Sequence, residues 1–406
     1  MNILMLGWEL PPHNSGGLGV ACYQLCKHLA FRGVSIDFVL PYSANHDIDF
    51  MKLVPALSIT AEEFINLAGA YNTNCDACKS SSCEHAYPTD LRGRQQRYKA
   101  FVEQYVQTTQ PDVIHMHDWL TYEAGMRAKQ LTNKPLVAHV HATEFDRSGE
   151  HSGNPLVHDI EYNGLLMADR IIAVSQLTKD IIVKGYDIPP SKIEVIHNSI
   201  DKDEVDKTAT ESTYVYLSEM KKLGYKVVVS LGRLTVQKGV TYLLQAARQA
   251  LDIDDKIIFL IVGAGELRDE LLEQAANLGI AQNVIFTGFL RGKRWRDAYA
   301  IGDMFVMSSV SEPFGITALE AAGYGNTLVL SKQSGVCEVL RSALKFNYWD
   351  TKKLADYIVN IAKNNALRDQ LVSDAEHEFN KLSWHDAADQ CQRLYASYAS
   401  AAGIAA

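Results

Sequence analysis

Short apolar runs alternate with amphipathic stretches along nearly all of the chain. Ile3–Leu6, Ser35–Leu40, Val113–Met116, Leu136–His141 and Arg170–Val174 read as buried strands. The stretches between them, about 19–32, 95–108, 121–130 and 155–167, carry helical periodicity. After a further strand at Ile193–His197 the pattern restarts with 226–231, 256–262, 284–286, 303–307 and 327–330, again separated by helical segments. Strands apolar on both faces, alternating with helices, predict parallel sheets covered on each side. The expected class is α/β, with two Rossmann-like domains facing across a cleft. Their predicted bounds are 1–200 and 201–380. A closing helix is expected over 381–406, beginning near Trp384. Residues 43–95 show few strands and read as an insertion.

Three segments interrupt this pattern with chemistry. Ser311-Glu312-Pro313-Phe314-Gly315-Ile316-Thr317-Ala318-Leu319-Glu320 follows the apolar run Met304–Met307. It predicts a strand, a tight turn and a helix starting near Gly315, with Glu312 in the turn and Glu320 on the helix. Two carboxylates accept hydrogen bonds from sugar hydroxyls, and the free amides of a helix start suit a phosphate. Gly232-Arg233-Leu234-Thr235-Val236-Gln237-Lys238-Gly239 follows Lys226–Leu231. There Arg233 offers a planar fork, and Lys238 a mobile point charge, to a diphosphate. Gly16-Gly17-Leu18-Gly19 follows Ile3–Leu6 and would let backbone amides approach a phosphate closely. Each segment alone also reads plainly, as solvated glutamates, surface cations or a tight turn.

Taken in order with His117-Asp118-Trp119-Leu120-Thr121 and His141-Ala142-Thr143-Glu144, these blocks make the chain resemble the retaining glycosyltransferases of family 4, close to the glycogen and starch synthases. The resemblance spans almost the whole chain and implies the GT-B fold, with the last helix crossing back onto the first domain and the 43–95 insertion bordering the acceptor site. It implies that a nucleotide diphosphate hexose lies mainly against the second domain. Arg233 and Lys238 would hold the diphosphate, and Gly16, Gly17 and the amides at Phe314, Gly315 and Ile316 would add donors. Glu320 would bind the ribose and Glu312 the hexose 3- and 4-hydroxyls. His141, by the sugar's 6-hydroxyl, and Asp118 would close the site from the first domain. Gly263 and Gly265, a turn after Phe259–Val262, are expected in the base and ribose pocket or simply as a structural turn. One departure is His197-Asn198-Ser199-Ile200-Asp201, where the family has Asn-Gly-Val-Asp, so a different backbone angle is expected at Ser199.

UDP-glucose or ADP-glucose is the expected donor, with GDP-mannose behind, and a carbohydrate is the expected acceptor. A GT-B nucleotide-sugar epimerase and a non-catalytic nucleotide-sugar binder are the alternatives. The Asp47/Asp49, Asp201/Asp203 and Asp252/Asp254 pairs do not follow a strand beside a glycine turn, so no metal cofactor is expected; the two cations would do that work. A net charge of −9 argues against nucleic-acid partners. Residues 1–200 hold 16 Lys and Arg against 22 Asp and Glu, which argues against docking on anionic membranes. The first residues already form a strand and no apolar run approaches about 20 residues, so a cytoplasmic protein is expected. Seven cysteines fit reduced thiols. Among them, Cys75, Cys78 and Cys83 with His85 read first as a loop with free thiols, and second as ligands of a small structural zinc.

Overall fold

The computed structural model describes residues 1–14, 16–44, 46–61, 89–149, 153–205 and 211–403. The Cys75, Cys78, Cys83 and His85 group lies outside the described residues.

The first half folds around a seven-stranded parallel sheet. Its strands are β1 (Asn2–Leu6), β2 (Ser35–Leu40), β3 (Lys52–Pro55), β4 (Val113–His117), β5 (Leu136–Val140), β6 (Arg170–Ala173) and β7 (Ile193–Val195), in the order β3-β2-β1-β4-β5-β6-β7. The second half holds six parallel strands: β8 (Lys226–Leu231), β9 (Ile257–Val262), β10 (Val284–Phe286), β11 (Met304–Met307), β12 (Thr327–Ser331) and β13 (Leu344–Phe346). Their order is β10-β9-β8-β11-β12-β13. The apolar runs behave as expected of doubly covered strands. In β9, Ile258, Leu260 and Val262 feed one core, while Ile257, Phe259 and Ile261 feed the core on the opposite face.

Differences from the sequence reading fall in segments with weak periodicity, among them β13, a strand that reading did not include. The stretch read as an insertion contributes the edge strand β3, paired with β2 from Asp37↔Lys52 to Leu40↔Pro55. The helix expected from Gln95 runs over Thr89–Thr108. The loop at 142–155 also contains a short helix, Glu144–Ser148, closed by a capping box between Thr143 and Asp146. The last helix, Trp384–Gly403, does pack on the first half: Trp384, Ala388, Cys391 and Tyr395 belong to the first core.

Strand order reverses direction between β1 and β4 in one sheet and between β8 and β11 in the other. Such switch points open a crevice at the carboxyl ends of the strands. The two halves meet along these edges. Ser175 Oγ donates to Pro313 O at 2.6 Å, and Ser311 Oγ to Asp146 Oδ1 at 2.6 Å. Glu338 accepts from the Gln176 and Leu177 amides, at 2.9 and 3.0 Å, at the start of the helix Gln176–Tyr186. The Arg291 guanidinium donates to Asn14 O at 2.9 Å and also to Pro12 O. Among the described residues no helix is long and apolar enough to cross a membrane.

Candidate active site

The second switch point places three predicted side chains around one pocket. Its walls are the Ser230–Leu234 end of β8, the Val306–Ser309 end of β11, Lys238 and Glu312. Lys238 Nζ sits 2.5 Å from Glu312 Oε2, and Ser309 Oγ donates to the same oxygen at 3.2 Å. Arg233 lines the same pocket. Ser309 escaped the sequence reading, although a Ser-Ser pair directly after an apolar strand is the signal that could have found it. A cation and a carboxylate held together here can bind a ligand with both anionic and hydroxylated parts, each group exchanging its internal partner for the ligand.

The turn that carries Glu312 is fixed by backbone bonds to the next strand's loop: Glu312 N to Gln333 O at 2.8 Å, Gly335 N to Glu312 O at 2.9 Å and Val336 N to Phe314 O at 2.7 Å. Gly315 then caps the helix Ile316–Gly323 at φ 108°, where a Cβ would crowd Met307 and Glu312. The resulting helix start faces the other half. A Cβ on Gly17 would come 3.5 Å from Ile316 Cδ1, so the first glycine turn and this helix start oppose each other across the cleft. Gly16 has open space around it.

Glu320 stands apart from that pocket. It accepts from Tyr299 Oη at 2.7 Å and lines a second hollow between the halves with Gln24, Trp295, Tyr324 and Trp384. Tyr299, itself stacked on Tyr324, was not foreseen in this role.

Gly263 and Gly265 fall outside the lining of that pocket. A Cβ on Gly263 would lie 1.8 Å from Gly232 O, and one on Gly265 2.3 Å from Leu234 O. Both let the turn pack against the Gly232–Leu234 backbone, and so shape the loop that presents Arg233. Ser199 lies outside the left-handed backbone positions, so the substitution of the family's glycine imposes no strain there.

Of the two first-domain candidates, Asp118 is enclosed and His141 is partly exposed. Asp118 is completely buried at φ 55°, ψ 170°, a region almost reserved for glycine. Its Oδ1 accepts from the His141 amide at 2.7 Å and the Ala142 amide at 3.3 Å. Burial pushes its carboxyl up to about 7, against the pull of Arg147 and the two amides. Through these two bonds Asp118 positions the backbone of His141. His141 Nε2 lies 3.0 Å from His117 Nδ1, and its ring stacks on His139 at 4.2 Å. Burial lowers its pKa to about 3, which keeps the imidazole neutral and suits hydrogen bonding to a hydroxyl.

The comparisons with known proteins agree with this layout. Residues 15–204 match the model described as Glycosyltransferase Family 4, and residues 218–378 match Glycosyl transferases group 1. An uncharacterized glycosyltransferase of Methanocaldococcus jannaschii is 28% identical over 97% of this chain and 98% of its own length. The glycogen synthase of Mycobacterium tuberculosis is 26% identical over 84% of this chain and 80% of its own. The solved structure of Anabaena HepE in complex with UDP and glucose superposes with a TM-score of 0.72 at 18% identity, covering 98% of this chain and 100% of that one. The architecture is the two-domain GT-B fold.

Proposed function

Because the chain belongs to the family 4 glycosyltransferases of the glycogen-synthase-like group, we propose that it moves a hexose, glucose first, from a nucleotide diphosphate sugar to a carbohydrate hydroxyl with retention of configuration and without a metal. The observation that carries this reading is the convergence of Arg233, Lys238 and Glu312 on the pocket at the second switch point, opposite Gly17.

In this mechanism Lys238 leaves Glu312 for the diphosphate and, with Arg233, stabilises the charge that grows as the leaving group departs. The amides at Gly315 and Ile316 add donors from the helix start. Glu312, held by Ser309, takes the hexose 3- and 4-hydroxyls, and Glu320, oriented by Tyr299, takes the ribose. His141 donates or accepts one hydrogen bond at the hexose from the opposite domain. The acceptor hydroxyl attacks on the face the diphosphate leaves, and no carboxylate acts as a nucleophile. The HepE complex with UDP and glucose supports uridine diphosphate glucose as the first donor to try, with adenosine diphosphate glucose, which the family resemblance implies, beside it.

Incubation with a panel of nucleotide sugars, reading nucleoside diphosphate release with and without glucan or simple sugar acceptors, tests the reading. Release from one donor class that rises with acceptor supports it. A folded protein that binds none of the donors sinks it.

A further inference from the structure

Beneath His141 the first sheet contains a cluster that sugar transfer does not use. His115 and His117 on β4, and His139 on β5, alternate with apolar residues, so they share one face. The strands pair His117 directly with His139. Ring centroids lie 4.5 Å apart for His115 and His117, 5.4 Å for His115 and His139, and 5.2 Å for His117 and His139. All three are buried, at 0%, 0% and 3% exposure.

Four nitrogens in this cluster face no hydrogen-bond partner: His115 Nε2, His117 Nε2, and both Nδ1 and Nε2 of His139. One orphaned buried polar atom costs about 1–3 kcal/mol, and a set of them calls for an occupant. The other nitrogens are already engaged. His115 Nδ1 lies 2.5 Å from Tyr395 Oη, and His117 Nδ1 3.0 Å from His141 Nε2. His115 and His117 are thus each oriented through one nitrogen and bare at the other, as metal-ligating imidazoles are, while His139 is bare at both.

We propose that His115, His117 and His139 form a buried binding site for a divalent transition-metal ion of the zinc class. One donor atom from each lies within 4.8 Å of the others, close enough for side-chain adjustment to bring them onto one ion. Imidazole nitrogen suits zinc and its neighbours rather than magnesium or calcium. The Cys22 sulfur lies within 4.8 Å of a donor atom of His117 and of one of His141, beside the site. The ion takes no part in bond breaking. It ties β4 to β5 and, through the His117–His141 contact, fixes the ring that faces the cleft. This inference is independent of the donor and the reaction.

The test uses tag-free, full-length protein. Elemental analysis after purification and dialysis against zinc is expected to find about one equivalent per chain. Titration of metal-free protein with cobalt(II) should produce the visible bands of a four-coordinate nitrogen-containing site, and zinc should raise the thermal midpoint with concentration. C75S/C78S protein keeps the equivalent. His115→Phe and His139→Phe lose it, weakening cobalt binding by more than the ~10–100-fold that an outer hydrogen-bond partner is worth. If these variants do not fold, the wild-type and C75S/C78S measurements decide. Wild-type protein that takes up no metal, or an equivalent that disappears with C75S/C78S, overturns the proposal. A buried water satisfying the same nitrogens gives the first of those two results.

Discussion

The two sheets present the same edge to the cleft and use it in opposite ways. At the ends of β8 and β11, the polar groups sit on loops beyond the last strand residue: Arg233, Lys238, Ser309 and Glu312 line a pocket. At the ends of β4 and β5, the polar groups lie within the strands or immediately after them, and His115, His117, Asp118 and His139 are sealed from solvent. Position relative to the strand end decides the difference. A side chain one turn past the sheet can exchange an internal partner for a ligand. A side chain inside the pleat has only its neighbours, so its chemistry goes into holding the frame. The second half is thus built to grip, and the first to keep His141 and its backbone still.

The largest effect is expected where the gripping half is weakened. Lys238→Ala should lower kcat/KM by about 10²–10³-fold, the loss typical of removing one group that stabilises developing charge. Glu312→Gln should fall less on nucleotide affinity than on turnover, because it retains hydrogen bonding but loses the charge that pairs with Lys238. Steady-state kinetics with the best donor reads both. Equal effects of Lys238→Ala and a first-half surface substitution would erase the contrast between the halves.

Gly263→Ala comes next and sharpens the same contrast from behind the pocket. Its Cβ would lie 1.8 Å from Gly232 O, and φ at Gly263 is 145°. Because the obstruction is backbone, relief requires the Arg233 loop to move. A stability loss of about 3 kcal/mol is expected in urea unfolding, with a weaker donor KM in the folded fraction. An unchanged unfolding midpoint would show that the turn is not braced by that loop.

How much of this was legible follows from the same rule. Both sheets except the edge strands β3 and β13, and the placing of Arg233, Lys238 and Glu312 on loops, were readable because apolar runs mark strands and charges just past them mark loops at a strand's carboxyl end. The burial of Asp118 was not, since a carboxylate adjoining a strand looks the same whether it faces ligand or amide. The separation of Glu320 from Glu312 depends on the direction each leaves the turn and on Tyr299, twenty-one positions upstream of Glu320 and joined to it only by the fold. The His-x-His alternations were visible, but their meeting required the β4–β5 register.

Asp118 permits an unusual comparison of variants. Asp118→Ala removes the acceptor for two amides while keeping a side chain in a strained backbone region, and should cost about 2 kcal/mol. Asp118→Gly removes the same acceptor but relieves strain worth about 1–3 kcal/mol. Glycine, ordinarily the worse replacement, should therefore be the more stable of the two by urea unfolding. Both should lose activity, because His141 loses its anchor. If alanine is the more stable, the backbone at 118 is not strained.

The smallest effect concerns the seam between the halves. Burial acts against ionising Glu338, yet the bond to His197 and the Gln176 and Leu177 amides together hold its carboxyl below the usual carboxylate range. A depressed folded pKa means that the unfolded chain takes up the proton first. The contribution is therefore complete above the unfolded value of about 4.5 and fades as pH falls through the lower folded value. Glu338→Gln should lower the thermal midpoint by about 2 °C at pH 6, and the gap from wild type should close toward pH 3. A gap that stays constant would mean that the amides at the start of Gln176–Tyr186 recognise the shape of the side chain rather than its charge. The seam would then be a neutral contact, unlike the charged pocket it borders.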